Sequence, residues 1–122
     1  MRIGEVAERT GLSVDTLRFY EKIGLIARPA RDAAGRRDYD EGVLVWIGFL
    51  AQLNATGMKQ ADRVRYARLR QAGPGTATER REMLEAHREA IRAQIATLTG
   101  TLGLMDKKIA DYRAMEQQRT EE

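Results

Sequence analysis

Ile3, Val6 and Ala7 fall on one side of a helical wheel, which predicts a short first helix from about Arg2 to Arg9. Thr10-Gly11 breaks it, and Leu12 fits as a plug in the angle before the next helix. Ser13 is a good N-cap, Asp15 suits the positive end of the helix that follows, and Val14, Leu17 and Ile23 face inward up to Gly24. Leu25-Ile26 resumes an extended apolar stretch that Pro29 stops. The residues around Gly35 then predict a turn between two short extended arms, a wing. Asp40 caps a third helix carrying Val43, Leu44, Trp46, Ile47, Leu50 and Leu53, the main core contribution, and Thr56-Gly57 ends it. Phe19 reads as a core residue. A more polar fourth helix runs from about Lys59 to Gln71, and Gln71-Ala-Gly-Pro-Gly-Thr reads as a linker.

The pattern changes after the linker. From about Thr78 to Gln118 no proline interrupts, and Ile91, Ile95, Leu98, Leu102, Met105, Ile109 and Tyr112 repeat at alternating steps of four and three. That is a heptad seam, with Leu84 one heptad before Ile91 and Arg88 between them. A seam this narrow fits one partner helix rather than a large core. No second helix of matching length exists in the chain, so the seam predicts a homodimer. The expected organisation is mainly α: residues 1–75 form a winged helix-turn-helix with two supporting helices, and residues 76–122 form a coiled-coil dimerisation helix and tail.

Composition narrows the function. The 122 residues contain no cysteine, which removes disulfides, thiolate metal sites and thiol redox sensing. Neither a secretory signal nor the ~20-residue apolar run of a membrane span is visible, so a cytoplasmic location is expected. The net charge of +3 is unevenly placed: residues 1–75 hold thirteen Lys/Arg against nine Asp/Glu, and residues 76–122 hold eight against nine. The positive excess lies with the two helices and Gly-containing turn, a common device for placing side chains in a DNA groove.

At this point the chain resembles the MerR family of bacterial transcription regulators. The resemblance rests on Ile3-Gly4-Glu5-Val6-Ala7, the block Ser13-Val-Asp-Thr-Leu-Arg-Phe-Tyr-Glu-Lys-Ile-Gly-Leu-Ile26, the wing piece Gly35-x-Arg37-x-Tyr39, Thr56-Gly57-Met58 and the C-terminal helix. It implies a winged helix and an antiparallel coiled coil that spaces two reading heads on a pseudo-palindromic promoter operator. It also implies control of transcription by bending and untwisting the DNA, with RNA polymerase engaged indirectly. Leu84-x-x-His87-Arg88 and Lys108-Ile109-x-x-Tyr112 look nearest the compact aldehyde and nitric-oxide stress subgroup. Members of that subgroup often carry a cysteine where this chain has Gln52.

The candidate DNA-binding residues are Ser13, Thr16, Arg18, Tyr20, Lys22, Arg36, Arg37 and Tyr39. Arg18 on the second helix suits bidentate bonding to guanine. Thr16 is a base or phosphate partner or simply a first-turn helix residue. Tyr20 and Lys22 suit phosphate. Arg36, Arg37 and the Tyr39 phenol suit backbone anchoring from the wing, and Arg31 is a lesser candidate. Arg63 and Arg70 share a face of the fourth helix and either reach flanking phosphates or are merely solvated. The candidate dimerisation residues are Leu84, Ile91, Ile95, Leu98, Leu102, Met105, Ile109 and Tyr112.

Catalysis is not expected. His87 is the sole histidine, Ser13 the sole serine, and neither a phosphate loop nor a metal-ligand cluster is present, so no cofactor or metal is expected. The expected partners are double-stranded promoter DNA, a second copy of the chain and a small-molecule effector of unassigned chemistry, with no membrane. Trp46, Leu50, Tyr66, Met83 and His87 are candidates to line an effector pocket. Two other readings compete: an architectural or recombination-accessory DNA-bending protein, and a coiled-coil protein-interaction module.

Overall fold

The computed structural model describes residues 1–121. Five α-helices follow one another: α1 Ile3–Thr10, α2 Val14–Ile23, α3 Gly42–Ala55, α4 Gln60–Gln71 and α5 Ala77–Glu121. Chain contacts divide the protein into two compact units, Met1–Leu84 and Glu85–Glu122.

Local chemistry sets the first two helices. Gly11 adopts φ 75°, a left-handed conformation that a β-carbon resists, and its N–H bonds the Ala7 carbonyl. Thr10 Oγ1 donates to the Val6 carbonyl and accepts from the Leu12 N–H, so the turn is held from both sides. Ser13 then caps α2, its Oγ accepting from the Thr16 N–H at 3.0 Å. Gly24 closes α2 at φ 88°, and the Leu25 N–H bonds back to the Tyr20 carbonyl at 2.9 Å.

Val6, Leu17 and Leu25 are the largest fully buried side chains, and they join α1, α2 and the extended segment into one core with Ile26, Ile47 and Leu50. Trp46 of α3 stacks on Tyr66 of α4, with ring centroids 5.9 Å apart. Its indole N–H would be an orphan donor in this apolar setting, and the Leu25 carbonyl accepts it at 2.8 Å. The Arg70 guanidinium covers the Trp46 ring 4.3 Å from its centroid, a cation–π contact. Met83 and Leu84, in the first turns of α5, pack against the same core.

The wing is a hairpin of the smallest kind: its arms share one isolated antiparallel bridge, Arg31 with Arg37, flanked by the bonds from the Asp32 N–H to the Arg36 carbonyl and from the Asp38 N–H to the Ala30 carbonyl, at 2.7 and 2.8 Å. Side chains reinforce this short backbone pairing. Several expectations need correction. Phe19 is 45% exposed, because Leu17 and Glu21 occupy the inward stripe of α2. Gln71–Thr76 is more than a flexible linker. It closes in a 3-10 turn, Pro74–Thr76, where Thr76 Oγ1 donates to the Leu69 carbonyl and accepts from Arg80 Nε. Leu84, expected in the seam, lies against the core of the first unit.

Residues 85–121 of the second unit lie within α5. Its seam residues Ile95, Leu98, Leu102, Met105, Ile109 and Tyr112 are all exposed, from 48% for Ile109 to 68% for Leu98. Ile91 is partly covered.

Candidate nucleic-acid interface

The second helix has two chemically distinct faces. Val14, Leu17 and Glu21 form one stripe at steps of three and four, with Leu17 and Glu21 buried. Asp15, Arg18, Phe19 and Lys22 form an opposite, exposed face. Arg18 lies 3.8 Å from Asp15, an exposed pair too weak to hold the guanidinium in place. Arg18 is therefore available to an outside partner. Thr16 is half-buried, and its hydroxyl accepts from Ser13 Oγ at 2.9 Å. Ser13 is exposed but occupied as the cap. Tyr20 is half-buried and packs against the core.

Glu21 is a buried carboxylate, and burying a charge is costly unless it is paired and hydrogen-bonded. Both conditions are met by residues from the wing. Tyr39 Oη donates to Glu21 Oε1, and the Arg37 guanidinium stands 3.4 Å from Glu21 Oε2. Burial first, and the Glu21 carboxylate second, push the Tyr39 phenol far above its usual value, so it remains a donor. This corrects the reading of Tyr39 as a phosphate anchor. Its ring is buried and its hydroxyl is committed to Glu21. Arg37 is part-exposed, tied by one nitrogen to Glu21 and flanking the surface.

A second set of bonds shapes the wing tip. Asp32 Oδ1 accepts from the N–H groups of Ala34 and Arg36, at 3.0 and 2.9 Å, an Asx-type turn. Asp32 Oδ2 pairs with Arg2 of the N-terminal arm at 2.5 Å. The Arg36 N–H first, then the Arg2 side chain, hold the Asp32 carboxyl below its usual range. Gly35 supplies the left-handed corner at φ 78°, and Arg31 Nη1 bonds its carbonyl at 2.7 Å. The base of the wing is fixed to the chain start: the Tyr39 N–H bonds the Met1 carbonyl, and the Met1 amino group bonds the Tyr39 carbonyl, both at 2.8 Å. Arg36 stays exposed, 3.9 Å from Asp32.

Exposed cations thus flank the outer face of α2 and the wing tip, while the wing is bolted to the helix from beneath. Arg63 is committed elsewhere: its Nη1 bonds Asn54 Oδ1 and the Met58 carbonyl, each at 2.8 Å. Among the described residues no cluster of His, Cys, Asp or Glu is placed to hold a metal ion. Among them, too, no helix is long and apolar enough to cross a membrane.

The pattern of the MerR family regulatory proteins matches residues 2–39, which is the segment from the N-terminal arm to Tyr39. An HTH-type transcriptional regulator of Haemophilus influenzae is 37% identical over 109 residues, which cover 89% of this chain and 81% of that protein. The chain belongs to the MerR family. The HTH-type transcriptional regulator AdhR of Bacillus subtilis is 35% identical over 91 residues, covering 75% of this chain and 65% of its own length. Among solved structures, HiNmlR, a MerR family regulator lacking the sensor domain and bound to promoter DNA, superposes with a TM-score of 0.80. That match is 36% identical and covers 92% of this chain and 89% of HiNmlR.

Sequence reasoning missed Glu21, Asp32 and Arg2. Glu21 carried a signal: it continues the inward stripe of Val14 and Leu17, where a lone carboxylate demands partners. Asp32 and Arg2 are far apart in sequence, and nothing in the one announces the other.

Because the Asp32 pKa is depressed in the folded protein, its stabilisation is complete above the ordinary value of 3.8 and is lost as pH falls through the lower folded value. Asp32→Ala should therefore shift the Ala34 and Arg36 amide resonances at neutral pH. The difference from wild type should shrink as pH drops well below 3.8. A difference that stays constant down the titration would show that the carboxylate does not hold the turn.

Proposed function

We propose that this MerR-type transcription regulator binds a pseudo-palindromic promoter operator as a homodimer and controls transcription by bending and untwisting the DNA. The observation that carries the reading is the outer face of α2, where Arg18, Phe19 and Lys22 are exposed beside a wing whose Arg36 is also exposed. Arg18 reads a guanine edge, the bond type that combines two donors with O6 and N7. Phe19 is an exposed ring with no core to join, and it suits a thymine methyl. Lys22, Arg36 and Arg37 contact phosphates and set the head's position without reading sequence. Ser13, as the cap, orders the N-terminus of α2 and orients the Thr16 hydroxyl, and the positive end of that helix favours a phosphate. HiNmlR, similar over most of the chain and bound to promoter DNA, supports this reading.

The seam of α5 supplies the second head. Six apolar side chains stand exposed along one heptad line, an arrangement a single chain in water has no means of burying. Pairing with a second α5 removes Ile95, Leu98, Leu102, Met105, Ile109 and Tyr112 from solvent, with Ile91 at its edge. Each buried aliphatic side chain contributes about 1.5–3 kcal/mol, so the seam suffices for a stable dimer. An antiparallel pair places the two reading heads at opposite ends, matching the two half-sites of a palindrome. Residues 1–75 are the reading head in this account, and residues 76–122 the spacer. Transcription control, not catalysis, is the activity, and the cytoplasm is its location.

Arg18→Ala should lose about 1–3 kcal/mol of discrimination between operator and random DNA while keeping its helical circular dichroism. Fluorescence anisotropy with both duplexes measures this, and unchanged discrimination would remove Arg18 from the base-reading role. Leu98→Glu with Leu102→Glu should convert a dimer to a monomer in sedimentation velocity. A monomeric wild type would refute the seam.

A further inference from the structure

A cavity of about 570 Å³ opens in the first unit, lined by residues of α1, α2, α3 and α4, Arg18 not among them. Its volume is within the range of sites that hold small organic ligands, roughly 300–1,000 Å³. Leu12, Leu25, Leu44, Ile47 and Leu50 give it an apolar lining. Gly48 and Ala51, one α3 turn from Leu44 and Ile47, leave the space unfilled. Of the five residues expected to line an effector pocket, Leu50 does so here, whereas Trp46 and Tyr66 are stacked on each other in the core.

Two arginines border this apolar space, Arg9 from α1 and Arg63 from α4. Arg63 is half-buried, and the partners of its Nη1 are neutral: the Asn54 amide oxygen and the Met58 carbonyl. These contacts orient the guanidinium, and among the described residues no carboxylate is paired with it. Arg9 is only loosely matched, 3.7 Å from an exposed Glu41 carboxylate. A half-buried, oriented guanidinium beside aliphatic walls is complementary to one ligand class, a carboxylate with an apolar body. We propose that this cavity is a binding site for a small amphipathic monocarboxylate, its carboxylate on Arg63 and its hydrocarbon against Leu25, Leu44 and Ile47. Tyr20 and Leu25 belong to the end of α2 and the segment after it, so the occupant rests against the helix that carries Arg18.

The test uses the full chain and two probes of equal length, octanoate and its neutral analogue octanamide, followed by amide NMR shifts. Octanoate should shift the Gly48, Leu50 and Ala51 resonances saturably, and octanamide should bind at least about tenfold more weakly, since a charged hydrogen bond is lost. Arg63→Met should erase the preference between the two. Gly48→Leu should abolish binding of both. Gly48 lines the cavity and a β-carbon there meets nothing within 4 Å, so the larger side chain has room at the start of its path without displacing a neighbour. Equal affinity for the two probes, shifts confined to α5, or no saturable shift at all would overturn the proposal. The last result is also the one expected if a second copy of the chain covers the cavity.

Discussion

A buried carboxylate governs the geometry of the reading head. Glu21 lies on the inward face of the recognition helix, where a charge without partners would destabilise the fold by several kcal/mol. Its partners, the Tyr39 phenol and the Arg37 guanidinium, come from the far arm of the wing. The demand for compensation therefore specifies where the wing stands relative to α2. Within the wing, the Asp32 N–H bonds the Arg36 carbonyl and the Asp38 N–H bonds the Ala30 carbonyl, on either side of the Arg31–Arg37 bridge, so its arms are paired but short. Its position is borrowed from the helix through Glu21, from the N-terminal arm through Asp32 and Arg2, and from the backbone pairing of Met1 with Tyr39.

The same arrangement separates holding from touching. The inward residues of α2 and the wing spend their polar groups on each other, so Tyr39 is structural and Arg37 is partly so. The outward residues, Arg18, Phe19, Lys22 and Arg36, have only weak intramolecular partners or none that buries them. A rigid inner face and an adaptable outer one suit a head that must dock in one register and still adjust to base edges. The core beneath, with Trp46 bonded to the Leu25 carbonyl and stacked on Tyr66, ties the end of α2 to α3 and α4.

Much of this was legible in the sequence because it is encoded locally. Gly11, Ser13 and Gly24 mark helix ends through their own backbone chemistry, and the structure places caps at all three. The heptad steps from Ile91 to Tyr112 depend only on spacing, and they fall on one continuous helix. The helix boundaries, the helix-turn-helix and the family follow from such local signals. What was not legible depends on residues distant in sequence. Phe19 reads as core because it is apolar, yet its neighbours Leu17 and Glu21 hold the inward positions. Tyr39 reads as a surface donor because its loop is basic, yet the acceptor that claims it lies eighteen residues earlier. The small hairpin of the wing is legible from Gly35, whereas the Asx turn and the ion pair to Arg2 that reinforce it are not.

If Glu21 fixes the wing against the recognition helix, operator binding must respond to Glu21→Gln. Removing a negative charge from a DNA-binding head should, by electrostatics alone, tighten binding to phosphates. Loss of the ion pair to Arg37 should instead loosen the wing. Operator affinity should be weaker by roughly tenfold, or about 1.4 kcal/mol, in a variant that remains folded. Unchanged or tighter binding would contradict it.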